Sequence, residues 1–254
     1  MAKEYAVYPF DYMNITQRYD QGNHISHWKN SKNYSDKPWD EACRDSARSY
    51  FVPQNDFKVE DVLGLGNNIT NTVRLISVNK LTMPNGKTDY LKITLSHMEE
   101  NNLKQVKKGQ ILKKGTKLLL EGQDGIATGN HFHITANTGK YYGLLQNSNG
   151  AWCYTYEKSL LPEQAFYLDK KLTTIVNKNG INFKNKPVET VKYYEKVSNE
   201  YTSLVDALKS ISVNSSFSDR KKIATKNNIK DYTGSASQNN KMLSLLKNGK
   251  LIKI

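Results

Sequence analysis

The chain has 254 residues, of which 37% are apolar, and carries 37 Lys and Arg against 24 Asp and Glu, a formal charge of +13. A mean hydropathy of -0.69 with no long apolar run excludes a membrane-spanning helix, which needs roughly 18 such residues. Two cysteines, Cys43 and Cys153, are too few for a disulfide framework and have no CxxC spacing, so both read as free thiols. The length suits a medium domain followed by a smaller one.

The opening MAKEYAVYPFDYMN is acidic and aromatic where a secretion leader would be basic and then apolar, so no Sec-type export is expected. Residues 21–57 are polar, with two prolines and Trp28, Tyr34 and Trp39, and show no period; they read as a long structured loop. From about Ile69 to Tyr142 the pattern is antiparallel β. NTVRLISVNKL and TDYLKITLSH flank MPNGK, whose Asn85-Gly86 pair is a strong hairpin signal. KKGQILKKGTKLLLEG adds glycine turns around short apolar segments, and GNHFHITANTGKYYGLL reads as a strand, a turn and a return strand.

Composition shifts near residues 177–190, where Asn, Lys, Gly and Pro cluster. The expected organisation is therefore a domain over 1–178, a linker over 179–190 and a helical domain over 191–254. In the last part SLVDALKSI places Leu204, Leu208 and Ile211 on one helical face, SDRKKIATKNN opens on Ser218 as N-cap, and ASQNNKMLSLLKNG stops at Gly249. From Lys184 onward about 14 Lys and Arg face about 6 Asp and Glu. The fold class expected is mainly antiparallel β followed by about three helices. The basic balance suits an anionic polymer, either nucleic acid or cell-wall polymer; the absence of a reading helix, zinc-finger spacing or aromatic RNA-binding signature disfavours nucleic acid.

All five histidines lie ahead of that tail. On a strand, residues i and i+2 share a face, so His131 and His133 emerge side by side with Phe132 opposite. His97 ends another expected strand, and His24 and His27 form a second close pair followed by Asp36, Asp40 and Asp45. Catalytic zinc takes three protein ligands, His with or without a carboxylate, and leaves one position open. Strand geometry does not decide which histidines bind and which move protons. An all-histidine set of His97, His131 and His133 is compatible with it, while the HExxH helix of many metalloproteases is missing.

GIATGNHFHITA, preceded by KKGQILKKGTKLLLEGQDG, resembles the closing G-x-S/T-G-x-H-x-H segment and glycine-turn hairpins of lysostaphin or LytM-type zinc metalloendopeptidases, which cleave peptidoglycan cross-links. The resemblance runs from about Asn14 to Gly143. It implies a lysostaphin-like antiparallel sheet, Zn2+ as cofactor, His133 as ligand and His131 and His97 as catalytic groups. The family's His-x-x-x-Asp is replaced here by a longer spacing, SHWKNSKNYSDKPWDEACRD, for which the resemblance implies His27 and Asp40, with His24, Asp36 and Asp45 as alternatives. Tyr19 is similar to a family tyrosine that faces substrate.

The last 55 or so residues resemble a cell-wall-binding module of clostridial and bacillar phage endolysins. Together the two resemblances imply a phage endolysin acting on bacterial peptidoglycan, its basic tail on an anionic wall polymer, held in the host cytoplasm until the membrane is breached. The alternative is a catalytically inactive peptidase fold serving as a wall-binding or virion structural protein.

Overall fold

In TVRLIS and KITLS every second residue is apolar, and a strand turns those residues to one side. The computed structural model, which describes residues 3–24, 36–42, 48–66, 70–146, 152–188 and 191–254, and not the side chains of residues 145, 146, 152 and 153, forms these segments into neighbouring strands. In chain order the strands are β1 (Tyr12–Gln17), β2 (Trp39–Glu41), β3 (Tyr50–Phe51), β4 (Phe57–Leu63), β5 (Thr72–Ser77), β6 (Leu81–Thr82) and β7 (Thr88–Asp89). They continue with β8 (Lys92–Ser96), β9 (Ile111–Leu112), β10 (Leu119–Leu120), β11 (Phe132–Gln146), β12 (Trp152–Leu160) and β13 (Thr174–Asn177).

Nine of them make one sheet in the order β13-β1-β2-β11-β8-β5-β4-β9, with β12 also on β11. All its pairings are antiparallel except β1 with β13. One face is the core: Val73, Leu75, Ile93, Leu95, Phe132, Ile134 and Ala136 are fully buried there. The opposite face carries Arg74, Thr94, Thr135 and His133. The chain is thus mainly β with a small helical part, as the patterning predicts.

The Asn85-Gly86 turn closes β6 onto β7 as expected, with the Met83 carbonyl accepting from Gly86 N at 3.0 Å. Two readings need correction. GNHFHITANTGKYYGLL is a single strand, because Gly139, at φ +77, absorbs extra residues as a bulge between Thr138 and Tyr141 and the ladder resumes; the return strand is β12. A Cβ at Gly139 would also lie 2.4 Å from Glu157 Oε2. The second correction is β2, which falls within the stretch read as loop: three residues with no period become a strand because β1 and β11 pair with them on both edges. Trp39 is fully buried on the core side. Trp28, Tyr34 and Cys43 lie outside the described residues, as does the side chain of Cys153.

On the same strand Glu41 is fully buried, accepting the Tyr8 hydroxyl at Oε2 and the Asn14 N–H at Oε1 (2.5 Å), which ties β2 to the segment leading into β1. Burial, only partly offset by these donors, pushes the Glu41 carboxyl up to about 8 from 4.5. A raised acid keeps its proton when folded and loses it when unfolded, so its penalty on stability is absent below about pH 4.5, grows as pH rises, and is complete above about 8. In metal-stripped protein, Glu41→Gln should flatten the decline in urea-unfolding free energy between pH 5 and 8, by on the order of a few kcal/mol. Identical slopes for the two proteins would show that Glu41 is already ionised in the fold.

The chain divides into two compact units, residues 1–186 and 187–254. The first extends further than the sequence suggests. Residues 179–186, read as linker, belong to it because Ile181 and Phe183 are buried in its core and Asn185 bridges Leu168. Two four-residue helices, α1 (Glu100–Leu103) and α2 (Pro162–Ala165), sit among its strands.

The second unit has three helices, α3 (Leu204–Ser210), α4 (Phe217–Lys226) and α5 (Ala236–Lys247), around Leu204, Leu208, Ile223, Met242 and Leu246. The N-cap of α4 is Ser216 rather than Ser218, since Ser216 Oγ accepts from Asp219 N at 3.3 Å and Ser218 already lies in the first turn. Gly249, at φ +65, ends α5 with Lys250 N donating to Leu245 O. Among the described residues no helix is long and apolar enough to cross a membrane.

Candidate metal centre

β11 sets His133 opposite Asp40 of β2 on one side and Ser96 of β8 on the other. The register brings the imidazole to the carboxylate: His133 Nδ1 lies 3.2 Å from Asp40 Oδ1. His24, from the turn after β1, approaches the same oxygen with Nε2, also at 3.2 Å. Its Nδ1, 3.0 Å from the Arg18 carbonyl, is held there as the protonated nitrogen, which leaves Nε2 with the lone pair. Ligand atoms of His24, Asp40 and His133 all fall within 4.8 Å of one another, and the side chains are 3%, 14% and 18% exposed.

Two nitrogens and one oxygen from three side chains, nearly dry and convergent, suit a borderline cation such as zinc with a position left open. The protonation states agree. Burial alone would raise the Asp40 carboxyl, but the imidazoles of His133 and then His24 beside it hold it far below the ordinary carboxylate range. Burial pushes the His133 imidazole down to about 3. At neutral pH the carboxylate is therefore ionised and the ring neutral, the forms that bind a cation.

His97 and His131 complete the cluster. Their ring centroids are 4.6 Å apart, and His97 lies 5.8 Å from His133. His131 Nε2 is 3.9 Å from Asp40 Oδ1. Each fixes its other nitrogen on a main-chain carbonyl, His97 Nδ1 on Asp124 at 2.6 Å and His131 Nδ1 on Gly129 at 2.8 Å. Both rings thus keep Nε2 for the site. Burial lowers the His97 imidazole below its ordinary value, only partly countered by the Asp124 carbonyl.

The backbone makes this placement unusual. His97 has φ +65, a left-handed conformation rare outside glycine, at the end of β8. Gly122 passes so close that a Cβ there would sit 2.7 Å from the His97 carbonyl oxygen, and its own carbonyl accepts from His131 N at 3.0 Å. One glycine therefore locks both histidine segments together.

Asn71, 3% exposed, was not evident from the sequence: its amide donates to Met98 O (3.2 Å), its backbone N–H to Asp124 Oδ2 (2.5 Å), and its side-chain oxygen accepts from Leu65 N (2.8 Å). It braces the two loops that hold His97. Arg18, whose carbonyl fixes His24, was equally hidden, since a main-chain acceptor leaves no mark on residue type.

Of the other sequence-based candidates, His27 and Asp45 lie outside the described residues. Asp36 is buried and bonded to Lys37 N and Ser159 Oγ, and is not one of the three converging donors. Tyr19 directly follows the carbonyl that holds His24, with the Arg18 guanidinium 5.8 Å over its ring.

No family model and no curated protein matches the chain. Among solved structures it is similar to a zinc-containing peptidase from Vibrio cholerae, at 21% identity and TM-score 0.33, over 63% of this chain and 40% of that one. It is also similar to the catalytic domain of the prophage-encoded M23 protein EnpA from Enterococcus faecalis, at 18% identity and TM-score 0.31, over 59% of this chain and 92% of that one. A peptidase from Pseudomonas aeruginosa gives 16% identity and TM-score 0.31, over 59% of this chain and 48% of that one.

Proposed function

We propose that the β unit is a zinc-dependent endopeptidase that hydrolyses amide bonds in bacterial peptidoglycan, and that the chain is a phage endolysin whose basic helical unit holds an anionic wall polymer. The observation that carries this reading is the convergence of His24, Asp40 and His133 beside two histidines with Nε2 turned to the same place. In this reading His24 takes the ligand role that sequence reading assigned to His27.

Zinc, when bound, supplies a Lewis acid and brings water toward ionisation near neutral pH. The chain's own residues do the rest. Asp40 contributes the negative charge of the ligand set, while His24 and His133 contribute imidazole nitrogen. His131 and His97, with Nδ1 tied to carbonyls, can take a proton from the attacking water at Nε2 and, once protonated, donate to the tetrahedral oxyanion or the leaving amine. Burial favours the neutral form of His97, which keeps it available as a base.

The alternative of an inactive wall-binding or virion structural protein drew its support from the long spacing between the first ligands; the convergence of three donors across that spacing speaks for activity. Metal removal tests the choice. Wall lysis, followed as turbidity loss, should disappear in chelator and return on adding about one equivalent of zinc per chain. Undiminished lysis by protein verified as metal-free would defeat the proposal.

A further inference from the structure

Across the polar face of the sheet, the row next to His133 is Thr135, Thr94 and Arg74, paired in register on β11, β8 and β5. Standard strand spacing puts the Arg74 backbone roughly 12 Å from that of His133. The bulged second half of β11 and its partner β12 bring three tyrosines to Arg74. Its guanidinium lies 4.1 Å from the Tyr141 ring centroid and 5.4 Å from that of Tyr154, and Tyr141 is 5.2 Å from Tyr156. Such stacking fixes a planar cation at a cost in freedom already met before any ligand arrives.

What this cation lacks is an acid. Among the described residues no carboxylate lies within ion-pairing distance of Arg74. Asp61, opposite it on β4, turns its carboxylate to Val62 N (3.2 Å), and Glu60 takes Lys58 (3.1 Å). Tyr154 and Tyr156 are raised by burial, Tyr156 to about 12, so neither brings negative charge at neutral pH. Beside the guanidinium, Arg74 Nε, Thr94 Oγ1 and Asn137 Oδ1 are buried with no hydrogen-bond partner, Thr94 at 7% and Asn137 at 0% exposure. Unmet polar atoms inside a sheet are costly, and of these three residues Arg74 is the one that reaches the surface.

We infer that Arg74, framed by Tyr141, Tyr154 and Thr94, is a specificity subsite that reads a free carboxylate on an extended peptide, two to four residues from the amide held at the histidine cluster. The span follows from strand rise of about 3.4 Å per residue. A charged carboxylate gains a planar two-pronged donor, which a neutral amide does not match. This rests on the endopeptidase reading, whose substrate it specifies: stems bearing acid rather than amide groups.

The experiment uses synthetic cross-linked stem-peptide dimers in two forms, with free α-carboxylates or with the same groups as primary amides. Wild-type protein should favour the acid by about tenfold or more in KM with similar kcat, and Arg74→Gln should bring the ratio of the two substrates close to one. Arg74→Lys should recover part of the preference, since it keeps charge but not the planar stack. Melting temperature and zinc content of each variant separate this from a folding defect.

Equal KM values for acid and amide in the wild type would overturn the inference without recourse to any variant. So would an Arg74→Gln protein that keeps the full preference, with Arg74 then only holding the β11–β12 arm. If the wild type cleaves neither dimer, the endopeptidase reading fails, and binding of the two dimers to the intact protein by calorimetry still decides the subsite: tighter binding of the acid, abolished in Arg74→Gln, supports it, and equal binding refutes it.

Discussion

Asp40→Ala is expected to leave the purified protein with less than about a tenth of an equivalent of zinc and to lower wall hydrolysis by on the order of a thousandfold or more. Asp40 is the anionic member of the donor group, and its Oδ1 stands 3.2 Å from both His24 and His133. Without it two imidazoles remain, too few to hold a divalent cation that is in exchange with water. Lost carboxylate cannot be replaced by the neighbouring acid, because Glu41 points to the opposite side of β2 and is engaged with Tyr8 and Asn14. Atomic absorption on the dialysed variant is the direct measurement. A variant that retains one zinc per chain would mean that the metal, if any, sits elsewhere.

The second large effect separates binding from chemistry. His131→Ala and His97→Ala should each keep close to one zinc per chain while losing about 10²- to 10⁴-fold in kcat, the range for removing a positioned acid–base group. Neither ring is among the three converging ligands, and both direct Nε2 toward them from anchored Nδ1 atoms. The two losses should fall far short of multiplying in the double variant if the rings act on one proton path. Loss of zinc in His131→Ala would instead make that ring a ligand, and activity within tenfold of wild type in either variant would remove it from the chemistry.

The strands that carry this chemistry were readable because their signals are local. The period-two runs of β5 and β8 and the i, i+2 placement of His131 and His133 each depend on a few adjacent residues, and the sheet honours them. The first half of the donor set was not readable in that way. Asp40 meets His133 across 93 residues of sequence, and β2 becomes a strand only through neighbours on both edges, so WDE alone carries no signal. The placing of His24 depends on the Arg18 carbonyl, a main-chain group common to every residue type. Gly139 misled for the opposite reason: a left-handed glycine is equally at home in a turn and in a bulge, and only the partner strand decides.

β2 is gripped on both edges by β1 and β11, while His24 is tethered to the Arg18 carbonyl just after β1, so the two donors have separate anchors. A change that loosens one anchor should therefore displace one donor and leave the other in register.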